Sequence, residues 1–291
     1  MNREFAIIGA GRLGRTLGRL LALRGYEPAG LSCRTLRSAR LARAFIGGGE
    51  PTTSNAQAAA RAPLVLIATP DREIAPVARE LARARLPWTG RIVAHTSGAV
   101  SSAALDPLKR RGALVASVHP LASIAAPRPD IDLRGTPFAI EGDPGAVRAL
   151  RRLIAEMEGT PVTIPRQAKA LYHLIACILS NDLVAFLAGG LEAARGLGLG
   201  TRQAARLYLP LIRGTVENVS RLGPVRALTG PVSRGDLATL RLHGEALRTL
   251  PADVRRVHRV LALRSVGLAL EAGTITPEVA ARLTRLLGSL P

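Results

Sequence analysis

Lys169 and His173 are the residues best placed to do chemistry. They are four apart at the start of the most apolar stretch of the chain, Leu171 to Leu191, and so share one face of a helix. At 100° per residue Ser180 falls on the same stripe, about 20° from each, and Asn181 lies about 80° from His173. The helix is apolar nearly all round, which predicts burial. A buried lysine or histidine needs a partner or a task. Desolvation lowers a lysine pKa and suits it to donate a proton near neutrality. Lys169 is one of two lysines among 40 basic residues, and arginine cannot release its proton. Lys169, His173 and Asn181 are therefore the catalytic candidates, with Ser180 a substrate contact. The plainer reading is a solvated lysine at a helix start and a histidine packed in a core.

Three further groups sit where apolar runs end. Thr69-Pro70-Asp71 follows Leu64–Ala68, and Asp71 can cap a helix. His95-Thr96-Ser97-Gly98 follows Arg91–Ala94. Ser117-Val118-His119-Pro120 ends Ala113–Val118. Ligands of open α/β sheets bind outside the carboxyl ends of the strands. That makes His95, Ser97, Gly98 and His119 substrate candidates, and Thr69 and Pro70 cofactor candidates. Near the C-terminus, Thr229-Gly-Pro-Val-Ser-Arg-Gly-Asp236 interrupts the helical pattern as a shaped loop. Arg234 can clamp a carboxylate there with its planar fork. Asp236 reads as the cap of the next helix.

The N-terminal segment supplies a place for a phosphate. Phe5–Ile8 is a short apolar run, followed by Gly9, Gly11 and Gly14 and then a helical pattern through Arg24. G-x-G-x-x-G between a strand and a helix is the dinucleotide-binding fingerprint. Gly9 permits the turn, Gly11 the approach of a pyrophosphate, and Gly14 close packing of helix on strand. The phosphates then meet the N–H groups of the helix start, around Arg12 and Leu13. The next strand ends at Leu31-Ser32-Cys33-Arg34-Thr35-Leu36-Arg37, with no Asp or Glu to take a ribose 2′-OH. Ser32, Arg34, Thr35 and Arg37 suit a 2′-phosphate instead. The expected cofactor is NADP(H) rather than NAD(H).

These groups require an α/β frame. Strand and helix patterns alternate to about residue 165, with strands near 4–8, 27–32, 64–69, 91–96, 113–118, 138–141 and 161–164. The pattern predicts a doubly wound, mostly parallel Rossmann sheet over residues 1–165. An all-α domain over residues 166–291 follows, opened by one long helix from Gln167 to about Arg195. The chain has 291 residues, 47% hydrophobic, and a net charge of +19. The arginines are spread evenly, with no polybasic tail and no basic patch interleaved with aromatics, so no nucleic-acid partner is expected. Cys33 and Cys177 form neither a disulfide framework nor a metal spacing. A strand starting at residue 4 leaves no room for a signal peptide. His173, Asn181 and Asp182 argue against a membrane span. A soluble, cytoplasmic, metal-free protein is expected.

Taken together, these motifs resemble a bacterial family with a Rossmann-like N-terminal domain and a helical C-terminal domain of formerly unknown function. That family is a branch of the 6-phosphogluconate-dehydrogenase-like superfamily. The resemblance rests on Gly9-x-Gly11-x-x-Gly14, His95-x-Ser97-Gly98, Val118-His119-Pro120-Leu121, Lys169-x-x-Tyr172-His173 with Ser180-Asn181, and Thr229–Asp236. It implies an NAD(P)-dependent reductase working as a homodimer through interlocked helical domains, and some members resemble ketopantoate reductases. Related enzymes carry Lys and Asn four apart on the long helix, whereas here the second residue is His173, so the proton donor is Lys169 or His173. The expected reaction is reduction of a small 2-oxo acid such as ketopantoate. Asn181 and Ser97 would orient the substrate and Arg234 would hold its carboxylate. The alternatives are an imine or hydroxy-acid substrate, like those of pyrroline-5-carboxylate reductase or prephenate dehydrogenase, and a non-catalytic nucleotide sensor.

Overall fold

A computed structural model of the chain describes residues 3–124, 126 and 132–290. The chain forms two compact units, residues 1–179 and 180–291. The first contains β1 (Glu4–Ile8), α1 (Arg12–Leu23), β2 (Glu27–Ser32), α2 (Leu36–Ile46), β3 (Glu50–Thr52), α3 (Asn55–Ala60), β4 (Leu64–Ile67) and α4 (Asp71–Arg83). It continues through β5 (Ile92–His95), a 3-10 turn (Ser102–Leu105), α5 (Asp106–Lys109), β6 (Leu114–Pro120), β7 (Pro137–Gly142), α6 (Pro144–Glu156) and β8 (Thr160–Thr163). A second 3-10 turn (Arg166–Ala168) leads into α7 (Lys169–Ala193), whose first eleven residues belong to this unit. This unit thus extends past residue 165 into α7, whose first residue is bonded to the sheet edge.

The eight strands lie in the order β3-β2-β1-β4-β5-β6-β7-β8. All neighbours are parallel except β6 and β7. The central strands are short apolar runs buried on both faces, as parallel strands covered by helices must be. On one face Phe5, Ile7, Leu31, Leu66, Ala94 and Val118 pack with side chains of α1, α2 and α6. On the other, Ile8, Val65, Ile67, Val93 and Val115 pack with Ile74, Val77 and Leu81 of α4 and with Trp88. The topology is the doubly wound one that the alternation predicts. β3, α5 and α6 were not anticipated; β3 is three residues of Glu-Pro-Thr with no apolar signature.

The second unit holds the remainder of α7, a 3-10 turn (Ala194–Leu197), α8 (Thr201–Ala227), α9 (Leu237–Leu247), α10 (Ala252–Glu271) and α11 (Pro277–Ser289). Gly223, at φ +75°, kinks α8 just before Pro224. Its core joins Val232, Leu240, Leu247, Val266, Ile275, Leu283 and Leu287.

One expectation is corrected. Of α7 only Lys169 is buried, while Leu171, Leu174, Ile178, Leu179, Val184 and Phe186 are exposed. The Gly189-Gly190 pair does not interrupt the helix. An all-round apolar helix has to be covered, but periodicity does not say by which molecule. By length and composition the stretch Arg166–Leu197 would also suffice to cross a membrane.

Candidate active site

Register gathers the polar groups of the first unit on one edge of the sheet. Ser32 pairs with Ile8, Ile8 with Ile67, Ile67 with His95, and His95 with Ser117. These are the carboxyl ends of four adjacent parallel strands, with β6 beside them. Adjacent strands are about 4.8 Å apart, so the glycine turn after β1 and the histidine of β5 are close neighbours along that edge.

The turn after β1 is a cradle. Gly9 has φ +81°, and a Cβ there would lie 2.6 Å from Thr69 Cγ2 and 2.8 Å from its backbone nitrogen. Its N–H and that of Ala10 donate to the Ser32 carbonyl at 3.0 and 3.2 Å. A Cβ on Gly14 would lie 2.8 Å from the Gly9 carbonyl oxygen, so this residue must be glycine for α1 to pack here. Gly11 differs: the nearest atom to a Cβ there is 3.9 Å away, and the residue is exposed. No side chain caps α1 and no acid sits in its first turn. The helix start, with Arg12 and Leu13, therefore presents N–H groups and positive dipole to any anion that reaches Gly11.

The β2–α2 corner lies beside it. Arg34, Thr35 and Arg37 are exposed, and neither arginine makes an ion pair among the described residues. Thr35 caps α2, its Oγ1 accepting from Ser38 N at 3.2 Å. Ser32 is corrected: it is fully buried and its hydroxyl donates to Asn55 Oδ1 at 2.8 Å, so it braces the corner from inside rather than meeting a phosphate. On the other side of the turn, Thr69 packs against Gly9 and its Oγ1 is buried without a partner. Pro70, not Asp71, occupies the N-cap of α4 and makes no capping bond.

The β5–β6 half of the edge is filled with titratable groups. Lys169, 2% exposed, donates from Nζ to the Ser97 carbonyl at 2.6 Å and to Ser117 Oγ at 2.8 Å. Ser117 Oγ in turn donates to the same carbonyl at 3.2 Å. Burial pulls the Lys169 pKa down to about 8, against the opposite pull of Glu141 and Asp71. His119 Nδ1 is 3.0 Å from Tyr172 Oη, and its ring meets that of His173 edge-on at 5.8 Å. Burial, reinforced by Lys169 and His173, lowers His119 to about 4. His173 Nδ1 is buried without a partner, and its Nε2 lies 3.6 Å from Cys177 Sγ. A Cβ on Gly98 would come within 2.4 Å of His173 Nδ1 and 3.0 Å of His119 Nε2, so only glycine lets both rings close on this turn.

The helix-face reading of Lys169 and His173 therefore holds, since both side chains reach the same strand ends. Two strand-end readings change. His95 is fully buried, accepts from Ser97 N at 3.3 Å, and is held neutral by burial with a pKa of about 4; it supports the turn from beneath. Ser97 uses its hydroxyl to accept from Ala99 N and Val100 N at 3.2 and 2.9 Å, and its carbonyl is the working group. Ser180, Asn181 and Arg234 belong to the second unit, and all three are exposed. Asp236 caps α9 as expected, accepting from Thr239 N at 3.0 Å. Sequence reasoning quoted Ser117 and Tyr172 within motifs but gave them no role, and passed over Glu141. Ser117 had a signal: it is two residues before His119 on a strand, and so on the same face.

Residues 2–120 match the Rossmann-like domain model, and residues 136–265 match the model of a domain of unknown function, DUF2520. No curated protein sequence matches the chain. Among solved structures it is similar to Bacteroides fragilis BF3122, provisionally named an NADP oxidoreductase, at 22% identity and TM-score 0.73 over 91% of this chain and 97% of that one. It is similar to a pyrroline-5-carboxylate reductase from Coxiella burnetii at 18% identity and TM-score 0.59 over 98% of each chain. A reductive aminase from Aspergillus terreus, solved with NADPH and ethyl levulinate, superimposes over 100% of both chains at 16% identity and TM-score 0.68. The chain thus carries a stretch that matches a Rossmann-like domain followed by one that matches a DUF2520 domain, the same order of parts that its motifs resemble.

Proposed function

We propose that the chain is an NADP(H)-dependent oxidoreductase that reduces a small polar substrate, with a 2-oxo acid such as ketopantoate as the leading class. The observation that carries this reading is the buried Lys169 ammonium, set on Ser97 and Ser117 along the same sheet edge as an uncapped glycine cradle. The cradle fits a dinucleotide on its own geometry, because Gly11 leaves the helix start open where a side chain would stand. Gly9, Gly11 and Gly14 with the α1 N-terminus would hold the pyrophosphate, and Arg34, Thr35 and Arg37 a 2′-phosphate. A bound reduced nicotinamide supplies a hydride to the substrate carbon.

The chain's own work is proton delivery and orientation. An ammonium has three protons, and two of those on Lys169 are committed to Ser97 and Ser117. The third is available to a substrate oxygen. A pKa of about 8 keeps Lys169 charged at neutrality yet ready to yield its proton. His119 stays neutral beside it, which avoids a second positive charge, and its contact with Tyr172 fixes the ring.

The names of the neighbours favour a second substrate class. Two of the three similar structures act, by name, on C=N chemistry. The deciding experiment follows NADPH oxidation with ketopantoate, other branched 2-oxo acids, pyrroline-5-carboxylate and simple imines, each repeated with NADH. Turnover of 2-oxo acids with NADPH supports the leading reading, and turnover of imines alone shifts the substrate class. NADPH binding without turnover of any of them points to a nucleotide sensor.

We further infer that a second copy of the chain covers α7. Val184 is 66% exposed and Leu179 69%, yet Ser180, Asn181 and Asp182 interrupt the apolar surface, which suits protein better than lipid. Light scattering should return twice the chain mass in detergent-free buffer. A monomer, or sedimentation with vesicles, would count against it.

A further inference from the structure

The buried Glu141 carboxylate ties together the segments that meet at Lys169. It stands on β7 opposite Ser117, in register across the antiparallel pair, and the residue is 3% exposed. Oε1 accepts from Ser102 N at 2.6 Å and Oε2 from Ser102 Oγ at 2.7 Å. Arg166 Nε donates to Oε2 at 3.4 Å. Ser102 ends the loop that carries the Ser97 carbonyl. Arg166 lies three residues before Lys169. Ser117, across the strand pair, supplies the other acceptor for Nζ. A buried carboxylate with three donors is an anchored charge, not an incidental one.

We propose that Glu141 is a positioning residue that fixes the Lys169 ammonium between Ser97 and Ser117 and holds its proton. The inference deepens the assignment of Lys169 as proton donor and rests on it for the catalytic consequence only. The other groups interacting with Lys169 are His95 from β5, His119 from β6, Asp71 from α4 and Tyr172 from its own helix. Of these, Asp71 and Glu141 are the anions that favour the charged amine. Glu141 has the more fixed carboxylate, because Asp71 is exposed and caps nothing.

The chain has only two lysines, Lys109 and Lys169, so [13C]lysine labelling yields two side-chain signals. Lys109 pairs with Asp143 at a more exposed site and provides the reference. In the wild type the Lys169 signal should titrate near 8. Glu141→Gln keeps the shape and removes the charge, and should lower that midpoint by about one pH unit or more, with NADPH binding unchanged within about twofold. Glu141→Asp restores the charge and should recover most of the midpoint. An unmoved Lys169 midpoint in folded Glu141→Gln overturns the proposal. Should that variant fail to fold, Ser102→Ala removes one anchor and leaves the charge in place. It should displace the Lys169 signal, and an undisplaced signal overturns the proposal equally. Where a substrate is turned over, the alkaline limb of kcat should follow the Lys169 midpoint in each variant. A midpoint that moves without the limb upholds Glu141 and removes Lys169 as the donor. Absence of turnover on every substrate sinks the reductase reading and leaves the titration to decide.

Discussion

The two halves of the sheet edge are built on opposite plans. Around β1 and β2 the structure leaves things out: Gly11 has no side chain, no side chain caps α1, and Arg34 and Arg37 are exposed and form no ion pair among the described residues. Around β5 and β6 it packs groups in: Lys169, His95 and His119 are buried or nearly so, each with a pKa displaced by desolvation. An empty, electropositive half suits a large anionic ligand supplied from outside. A crowded half of titratable groups suits proton transfer. The comparison predicts that changes in the crowded half alter turnover, and that changes in the open half alter binding.

The largest effect should come from Lys169→Ala. General acid catalysis contributes about 10²–10⁴-fold, so kcat should fall by that factor while the NADPH Kd stays within about twofold. A normal kcat would break the division, and His173→Ala would then be the variant to examine.

The crowded half should also make the fold acid-sensitive. His95 and His119 are held near 4 against 6.5 in an unfolded chain. The unfolded chain therefore binds more protons between these values, and stability falls as pH drops from 6.5 towards 4. Above 6.5 the contribution is fully present. Shifts of this size correspond to about 3 kcal/mol per histidine. Denaturant midpoints measured across that range should slope downward towards acid, and His95→Asn should flatten the slope. An equal slope in that variant would mean that His95 is not held neutral by the fold.

How far the sequence reveals each half follows from the same contrast. Glycine spacing and a missing acid are local, and the open half could be read from residues 5–37 alone. Lys169 and His173 could be placed on one face because helical geometry is also local. Their acceptors could not, because the Ser97 carbonyl and Ser117 hydroxyl reach Lys169 from 72 and 52 residues away in the chain. Glu141 was hidden for the same reason: its role depends on the β6–β7 register, and a lone carboxylate in a strand has no signature. His95 was misjudged because a strand end has an inner and an outer side, and only the register shows that its ring turns inward. The exposed face of α7 misled in another way, since hydrophobicity demands cover without naming the molecule that provides it.

Within the open half, two glycines separate folding from binding. Gly11→Ala meets nothing nearer than 3.9 Å, so the melting temperature should not change, while a methyl group in the path of the pyrophosphate should weaken NADPH binding by about 10–100-fold. Gly14→Ala brings a Cβ to 2.8 Å from the Gly9 carbonyl and should lower both the melting temperature and the affinity. Equal affinities for Gly11→Ala and the wild type, measured by NADPH fluorescence, would remove the cradle from the binding site.

The smallest effect is the most selective. Arg34 is exposed at the β2–α2 corner, where Ser32 faces inward and no acid is present. A charge-assisted hydrogen bond to a 2′-phosphate contributes about 1.5–3 kcal/mol, so Arg34→Ala should weaken NADPH binding about tenfold or more. NADH carries no such phosphate, and its affinity should stay within about twofold under the same conditions. Raising the salt concentration should narrow the gap between the two cofactors in the wild type, because the contact is exposed and therefore screened. A parallel loss for both cofactors would show that Arg34 supports the corner rather than reading the phosphate, and Arg37 would then have to carry the distinction alone.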